Sequence, residues 1–315
     1  MNKLTNWLRI STESPPMPTT LLRTTHDHSL GHQIDRKLAR RLTTQAPALR
    51  AARGGHRMAI YANDLIGIQI NQFGLYERDA LELLFQFLEP LKDVFAQGTA
   101  LDIGANIGNH TLFFAQRFAR VHAFEPHPTT AELLRLNTQW AGHVSVHAHG
   151  LGDTRGQFDL IEHAANLGGS SIRIGDTTGG QVLPIAVERL DDLALDFQGL
   201  CFMKIDVEGF EAQVLRGGKA TLAERQPLVV LEQHESEFTE GSTESIRFLT
   251  SLGYRFCWHQ EPPMARWWLL RRLDELREAM FGREHRIETA TVVPRQNYSM
   301  LIAVPPRFAA ALGLR

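Results

Sequence analysis

Several short apolar runs in this sequence end in carboxylates, and their spacing limits the chemistry they can do. Leu101-Asp102-Ile103 leads into Gly104-Ala105-Asn106-Ile107-Gly108, and the helix-like stretch Asn109 to Phe118 follows. The pattern spells strand, tight turn, helix, an opening suited to a nucleotide. Gly104 and Gly108 let backbone approach a ligand with no Cβ in the way, and a helix start offers unpaired N–H groups to an anion. Asp102 can accept from a ligand ammonium or from the turn itself. A second apolar run, Val121-His122-Ala123-Phe124, ends in Glu125 at about the ~20-residue interval at which an acidic residue meets a ribose diol.

The spacing also narrows the nucleotide. Gly104-x-x-x-Gly108 lacks the second close glycine that admits a pyrophosphate, and no Gly-Lys-Ser/Thr follows to make a P-loop. A ligand with a ribose and no phosphates fits, and S-adenosylmethionine is the common one. Nicotinamide-dependent oxidoreduction is the rival enzyme class that uses the same half-fold and the same Glu125. A binding or scaffold protein that keeps the pocket without catalysis is the rival from a different class.

A further group converges on the ends of two later apolar runs. Phe202-Met203-Lys204-Ile205 runs into Asp206-Val207-Glu208-Gly209, and Leu228 to Leu231 into Glu232-Gln233-His234. Ligands of open parallel sheets sit at the carboxyl ends of adjacent strands, so Asp206, Glu208 and Glu232 are the candidate catalytic carboxylates. Asp206 is expected at the cofactor's methionine amino end, and Glu208 or Glu232 at the acceptor. His234 reads as a loop histidine. Asp206 with Glu232 also forms an oxygen-rich pair suited to Mg²⁺, an alternative to the preferred metal-free site. Glu77, just before an apolar helix, is either a lid over the cofactor amino group or a first-turn acid facing the helix dipole. No aromatic precedes Phe210 to stack a nucleobase, which favours a hydroxyl acceptor over a base amine.

Elements follow from the periodicities. Arg57 to Gln69 alternates as two small strands, and Asp79 to Leu91 has helical spacing. A helix over Thr129 to Trp140 turns Leu133, Leu134 and Leu136 inward, and Val144 to His147 makes a third strand. Strand, helix, strand, helix, strand predicts a parallel sheet covered on both faces. Phe158 to Ile161 and Val182 to Val187 read as a hairpin-like pair flanking a polar loop, Asn166 to Ser171, beside the acceptor pocket. Gly217-Gly218 interrupts the helix after Gly209, and a helix from Ser242 or Thr243 stops at Gly253. Tyr254 to Trp258 and Ser299 to Val304 form a closing antiparallel pair.

Composition sets outer bounds. The chain has 315 residues, 43% hydrophobic and 22% charged, with a formal net charge of −2. A sequence pI of about 6.7 stands far from the basic balance, above ~9, of a nucleic-acid footprint, so no nucleic-acid partner is expected. Cys201 and Cys257 lie in apolar runs and read as buried thiols, which fits a reducing, cytoplasmic setting. No apolar run is long enough to span a bilayer. Residues 1–56 carry nine Lys/Arg against three Asp/Glu and read as a basic extension. Residues 57–306 form the main domain and 307–315 a tail. An amphipathic stretch, 265–285, with Trp267 and Trp268 beside arginines, suits a packed lid, with peripheral membrane contact as its alternative. Nothing in the sequence specifies an oligomeric state.

From Arg57 to Pro306 the chain resembles the FkbM-type family of S-adenosylmethionine-dependent methyltransferases. The carrying motifs are Leu101 to Gly108, Ala123-Phe124-Glu125-Pro126, Leu151-Gly152-Asp153, Asn166-Leu167-Gly168-Gly169 and Lys204 to Gly209. The resemblance implies an α/β, Rossmann-like class I methyltransferase fold: a seven-stranded, mostly parallel sheet with helices on both faces and the last strand inserted antiparallel. It implies methyl transfer to a hydroxyl, commonly on a sugar, polysaccharide or polyketide. The expected cofactor residues are Asp102, Gly104, Ala105, Asn106, Gly108, Asn109, Glu125, Pro126, Leu151 and Asp153, with Leu151 on an adenine face and Asp153 reaching its amino group.

Overall fold

The computed structural model describes residues 37, 40, 55–61, 64–163, 166–172, 181–260, 286–290 and 292–314, with side chains undescribed at 162–163, 166–172 and 181. The chain divides into two compact units, Met1–Gln45 and Ala46–Arg315. In the first, Lys37 and Arg40 are described, both helical and exposed. The rest of the basic extension up to residue 54, and the amphipathic stretch 265–285, lie outside the described residues. The architecture below is that of the second unit.

The strands are β1 (Thr99–Ile103), β2 (Arg120–Phe124), β3 (Val144–His147), β4 (Gly150–Leu151), β5 (Gly156–His163), β6 (Asn166–Ile172), β7 (Gln181–Glu188), β8 (Leu200–Ile205), β9 (Leu228–Gln233), β10 (Arg255–Gln260), β11 (Arg286–Thr289) and β12 (Tyr298–Val304). The main sheet runs β11-β10-β12-β9-β8-β1-β2-β3. Strands β3, β2, β1, β8 and β9 are parallel, and β12 is inserted antiparallel between β9 and β10. This is the class I methyltransferase arrangement with eight strands in place of the expected seven. The eighth, β11, pairs antiparallel with β10 at the edge, and its short Arg-Ile-Glu-Thr sequence carries too little apolar alternation to announce a strand.

Continuous apolar runs make the central strands, because helices cover both faces. Every residue of β1 and β8 is buried. One face packs a cluster of Phe85, Phe95, Phe113, Phe114, Phe118 and Phe202, with ring centroids 4.9–6.3 Å apart in the cluster's pairs. The other face packs Met203, Ile205, Val229 and Leu231 against the helices Glu211–Gly217 and Glu244–Ser251. Register then aligns the exits. Ile103 pairs with Phe124 and with Ile205, and Ile205 with Leu231. The residues that follow, Gly104, Glu125 and Asp206, therefore leave the sheet at one end, with Glu232, near the end of β9, beside them.

Several local expectations are corrected. The alternation in Arg57 to Gln69 belongs to no strand: residues 55–61 are irregular and Leu65–Phe73 is a helix. Its ends decide the matter, since the Asp64 side chain accepts from Ile66 N at 3.2 Å and Gly74 closes it at φ 84°. The loop expected at Asn166 to Ser171 is strand β6, antiparallel to β5, in a second sheet ordered β4-β7-β5-β6. Backbone pairing there overrides a sequence of small polar residues with low strand propensity. The β5–β7 pairing itself forms as expected. Leu136 faces solvent, 51% exposed, while Leu134 of the same helix is buried. Gly253 (φ 83°) ends the helix that Thr243 caps, and the helices Glu211–Gly217 and Lys219–Arg225 divide at Gly218.

Cys201 and Cys257 are free, buried thiols. At the C-terminal end Arg307 donates to Gln226 O at 2.7 Å and Leu200 O at 2.9 Å, and Phe308 is buried. Among the described residues no helix is long and apolar enough to cross a membrane.

Candidate functional site

The aligned strand exits open into a cleft. Gly104, Ala105, Asn106, Asn109, Glu125, Pro126, Leu151, Asp206, Glu208 and Glu232 all line it; Asp102, Gly108 and Asp153 do not.

At the β1 turn, the glycines serve protein packing. A Cβ at Gly104 (φ 80°) would stand 1.8 Å from Asp206 O, and one at Gly108 (φ 95°) 2.7 Å from Leu134 Cδ1. What fills the space a side chain would take is the neighbouring backbone and helix. Gly104 thus lets the β1 turn close against the β8 exit while lining the cleft, and Gly108 lets it close against the helix Pro128–Thr138. Asp102 is fully buried, its Oδ2 accepting from Thr111 Oγ1 at 2.6 Å, and its Oδ1 has no hydrogen-bond partner among the described residues.

Glu125 is held from two sides. Its Oε2 accepts from Asn106 N and its Oε1 from His127 N, each at 2.9 Å. Burial pushes its carboxyl up to about 7, against the pull of those two backbone donors. Each oxygen keeps a lone pair for a further donor, which suits a ribose diol. Phe124, Pro126 and Leu151 supply apolar surface beside it.

Two expected cofactor residues have other partners. Asn109 spends both amide atoms on Tyr76, accepting from its N at 3.0 Å and donating to its O at 3.1 Å. It thereby fixes the segment that puts Tyr76 and Glu77 on the cleft wall. Glu77 sits at φ 54°, its Oε2 3.4 Å from His110 Nε2. Asp153 is ion-paired to Arg216, at 2.8 Å from Nε and 2.7 Å from Nη2, so its carboxylate is taken up outside the cleft lining. Sequence spacing carries no signal for that arginine, which lies 63 residues away.

Across the cleft, Lys204 is buried and donates to Asp206 Oδ2 at 2.8 Å. Burial lowers the ammonium's pKa, but the Asp206 charge outweighs it and leaves Lys204 raised. The Asp206 carboxyl is held below the usual range: burial raises it, and Lys204 overrides. Glu232 is pushed up to about 8, first by burial and then by Asp206 and Glu208, and its carboxyl hydrogen-bonds Asp206. The two titrate as a pair, Asp206 held low by Lys204 and Glu232 raised beside it. Glu208 is also raised, by burial and then by Asp206.

Sequence reasoning missed the groups that hold this end in place. Glu211 is 2% exposed, and its Oε1 accepts from Val207 N at 3.2 Å and Gly209 N at 3.1 Å. Glu237 accepts from His234 N at 2.8 Å and from Gln233 Nε2 at 3.1 Å, and Thr243 Oγ1 bonds Gln233 Oε1. The run Glu208-Gly209-Phe210-Glu211 is visible in the sequence but reads as an ordinary helix start. His234 lies in the loop after β9, half-buried, and one ligand atom each from Glu208, Glu232 and His234 lie within 4.8 Å of one another. The expected Mg²⁺ alternative used Asp206, which instead is paired to Lys204.

Residues 102–256 match the model of the Methyltransferase FkbM domain, about half of the chain. A curated relative named Methyltransferase 1, from Beauveria bassiana (strain ARSEF 2860), is 28% identical over 182 residues, 47% of this chain and 72% of the relative. A solved methyltransferase FkbM from Methylobacillus flagellatus KT is 22% identical with a TM-score of 0.32; the match covers 43% of this chain and 32% of that one, about a third of its length. A solved precorrin-6y C5,15-methyltransferase from Geobacter metallireducens GS-15 is 14% identical with a TM-score of 0.33, over 70% of this chain and 87% of that one.

Proposed function

We propose that this chain, an FkbM-type methyltransferase by its residues 102–256, uses S-adenosylmethionine to methylate a hydroxyl of a sugar, glycan or related natural product. The observation that carries the reading is the Asp206–Glu232 carboxyl pair at the exits of adjacent parallel strands, facing the same cleft as Glu125.

The residues present fit the cofactor's chemistry. Glu125 has acceptor capacity for two ribose hydroxyls, Leu151 and Pro126 suit an adenine face, and Asp206 suits the methionine ammonium. When bound, S-adenosylmethionine supplies a methyl group activated by a sulfonium, open to in-line displacement. The chain's own contribution is alignment and proton removal. An aliphatic hydroxyl is barely acidic at neutral pH, so a carboxylate beside it receives the proton. Glu232, with its carboxyl pushed up to about 8, is the strongest carboxylate base in the cleft once ionised. Lys204 keeps Asp206 ionised, and Asp206 in turn raises Glu232.

A metal-assisted variant is supported by the approach of Glu208, Glu232 and His234. It predicts that thorough chelation abolishes turnover and that Mg²⁺ or Mn²⁺ restores it. The metal-free reading predicts unchanged turnover.

Calorimetric titration with S-adenosylhomocysteine tests the cofactor assignment, with NAD as control ligand. Binding of the first and not the second is expected. Binding of NAD alone transfers the site to nicotinamide chemistry, and cofactor binding without turnover on a broad hydroxyl panel favours a scaffold role.

A further inference from the structure

Between β8 and the helix Glu211–Gly217 the chain passes through two consecutive left-handed residues, Glu208 at φ 52° and Gly209 at φ 95°. Gly209 meets that requirement with no neighbour within 4 Å of a built Cβ, so its backbone angle alone demands glycine. Glu208 has a side chain and is strained there. Such a residue persists only where its surroundings fix it.

Glu211 is the group that does so. Its Oε1 accepts from the backbone N–H groups on either side of Glu208, those of Val207 and Gly209. Its Oε2 is buried with no hydrogen-bond partner among the described residues. A buried carboxylate is costly, and half of this one is left unsatisfied. The two bonds it does make serve a segment whose side chains Val207 and Glu208 both face the cleft, while Glu211 itself does not line it.

We infer that Glu211 is a positioning residue, holding Glu208 in its left-handed conformation, aimed into the cleft, through the acceptor oxygen that brackets it. The inference deepens the methyl-transfer reading of this site, but its test does not depend on turnover. Because the role belongs to an acceptor oxygen, a glutamine at this position is sufficient and a residue without one is not.

Amide hydrogen exchange of the full chain, with S-adenosylhomocysteine bound, is the experiment. In Glu211→Ala the amides of Val207 and Gly209 are expected to exchange about tenfold faster or more, as lost buried hydrogen bonds imply, with Met203 in β8 unchanged. The backbone carbon shifts of Glu208 then leave the left-handed range. Glu211→Gln restores both signatures to within about threefold of wild type, and S-adenosylhomocysteine affinity changes less than about threefold in either variant. Protection at Val207 and Gly209 that survives Glu211→Ala overturns the inference. If Glu211→Ala does not fold, Glu211→Gln decides alone: loss of protection at those two amides overturns the acceptor role. Failure to bind S-adenosylhomocysteine in the wild type strikes the cofactor reading only, since the exchange pattern is then measured on the free chain.

Discussion

Glu125 and Glu232 stand at the same end of the same sheet, at the ends of β2 and β9, and both are pushed well above the ordinary range by burial. Glu125 is pinned by two backbone N–H groups, those of Asn106 and His127. Glu232 is coupled to Asp206, which is itself paired to Lys204. Backbone donors fix an oxygen in space and leave its remaining lone pairs for a ligand. A neighbouring carboxylate raises the proton affinity of its partner, which makes that partner, once ionised, the better base. In the reading proposed above, one end of the cleft holds the cofactor and the other takes up a proton, although the residue type is the same.

The largest effect that tests this difference is on rate. Glu232→Gln keeps shape and removes the base, so kcat is expected to fall about 10²–10⁴-fold, the range for loss of a general base. S-adenosylhomocysteine affinity should stay within about threefold, since Glu232 is assigned to the acceptor. A variant that loses cofactor affinity instead would erase the division between the two ends. The pH profile sharpens the same point: kcat/KM should rise with pH through about 8 in the wild type as Glu232 ionises, and this limb should vanish in Glu232→Gln. A profile flat from pH 6 to 9, units in which about one titration step is fully visible, removes Glu232 from proton transfer.

The next effect is on affinity. Glu125→Ala removes two acceptor oxygens from the proposed ribose site and frees the N–H groups of Asn106 and His127. S-adenosylhomocysteine binding, followed by calorimetry, is expected to weaken about 10–100-fold, the cost of one or two charged hydrogen bonds. Unchanged affinity would make Glu125 a turn residue only.

The holding end was the more legible in the sequence. Gly104, Gly108 and Glu125 announced themselves because local strand-turn-helix spacing and one interval suffice to place them. Their detailed roles were less legible, since the atoms that exclude a Cβ at Gly104 and Gly108 come from Asp206 and Leu134, distant in sequence. Asp206, Glu208 and Glu232 could be named from strand ends. Their division of labour depends on Lys204 reaching Asp206 and on Glu211 and Glu237 holding the two loops, contacts that sequence periodicity does not encode. The helix Leu65–Phe73 was hidden by an accidental alternation of isoleucines, and β6 by residues of low strand propensity that pair because β5 lies beside them.

The smallest effect is on stability, where the two glutamates share a sign in pH and differ in how far their windows reach. Glu125, at about 7, and Glu232, at about 8, are both raised from 4.5. A carboxyl raised on folding contributes stability that is full below its unfolded pKa and is lost as pH rises through the folded value. The ligand-free chain should therefore lose Tm between pH 5 and pH 8.5, by a few degrees per kcal/mol for a domain of this size, roughly 2–4 °C. Asp206 works in the opposite direction, being held low by Lys204, but its contribution is lost only as pH falls below about 4, outside that window. Glu125→Gln should make the decline shallower up to about pH 7, and Glu232→Gln should make it shallower over the whole span up to about pH 8, each read by scanning calorimetry. If Glu125→Gln leaves the decline intact, the carboxylate pinned by backbone is already ionised at neutral pH. The holding end would then present a full negative charge to its ligand, and the contrast with Asp206 would narrow to geometry alone.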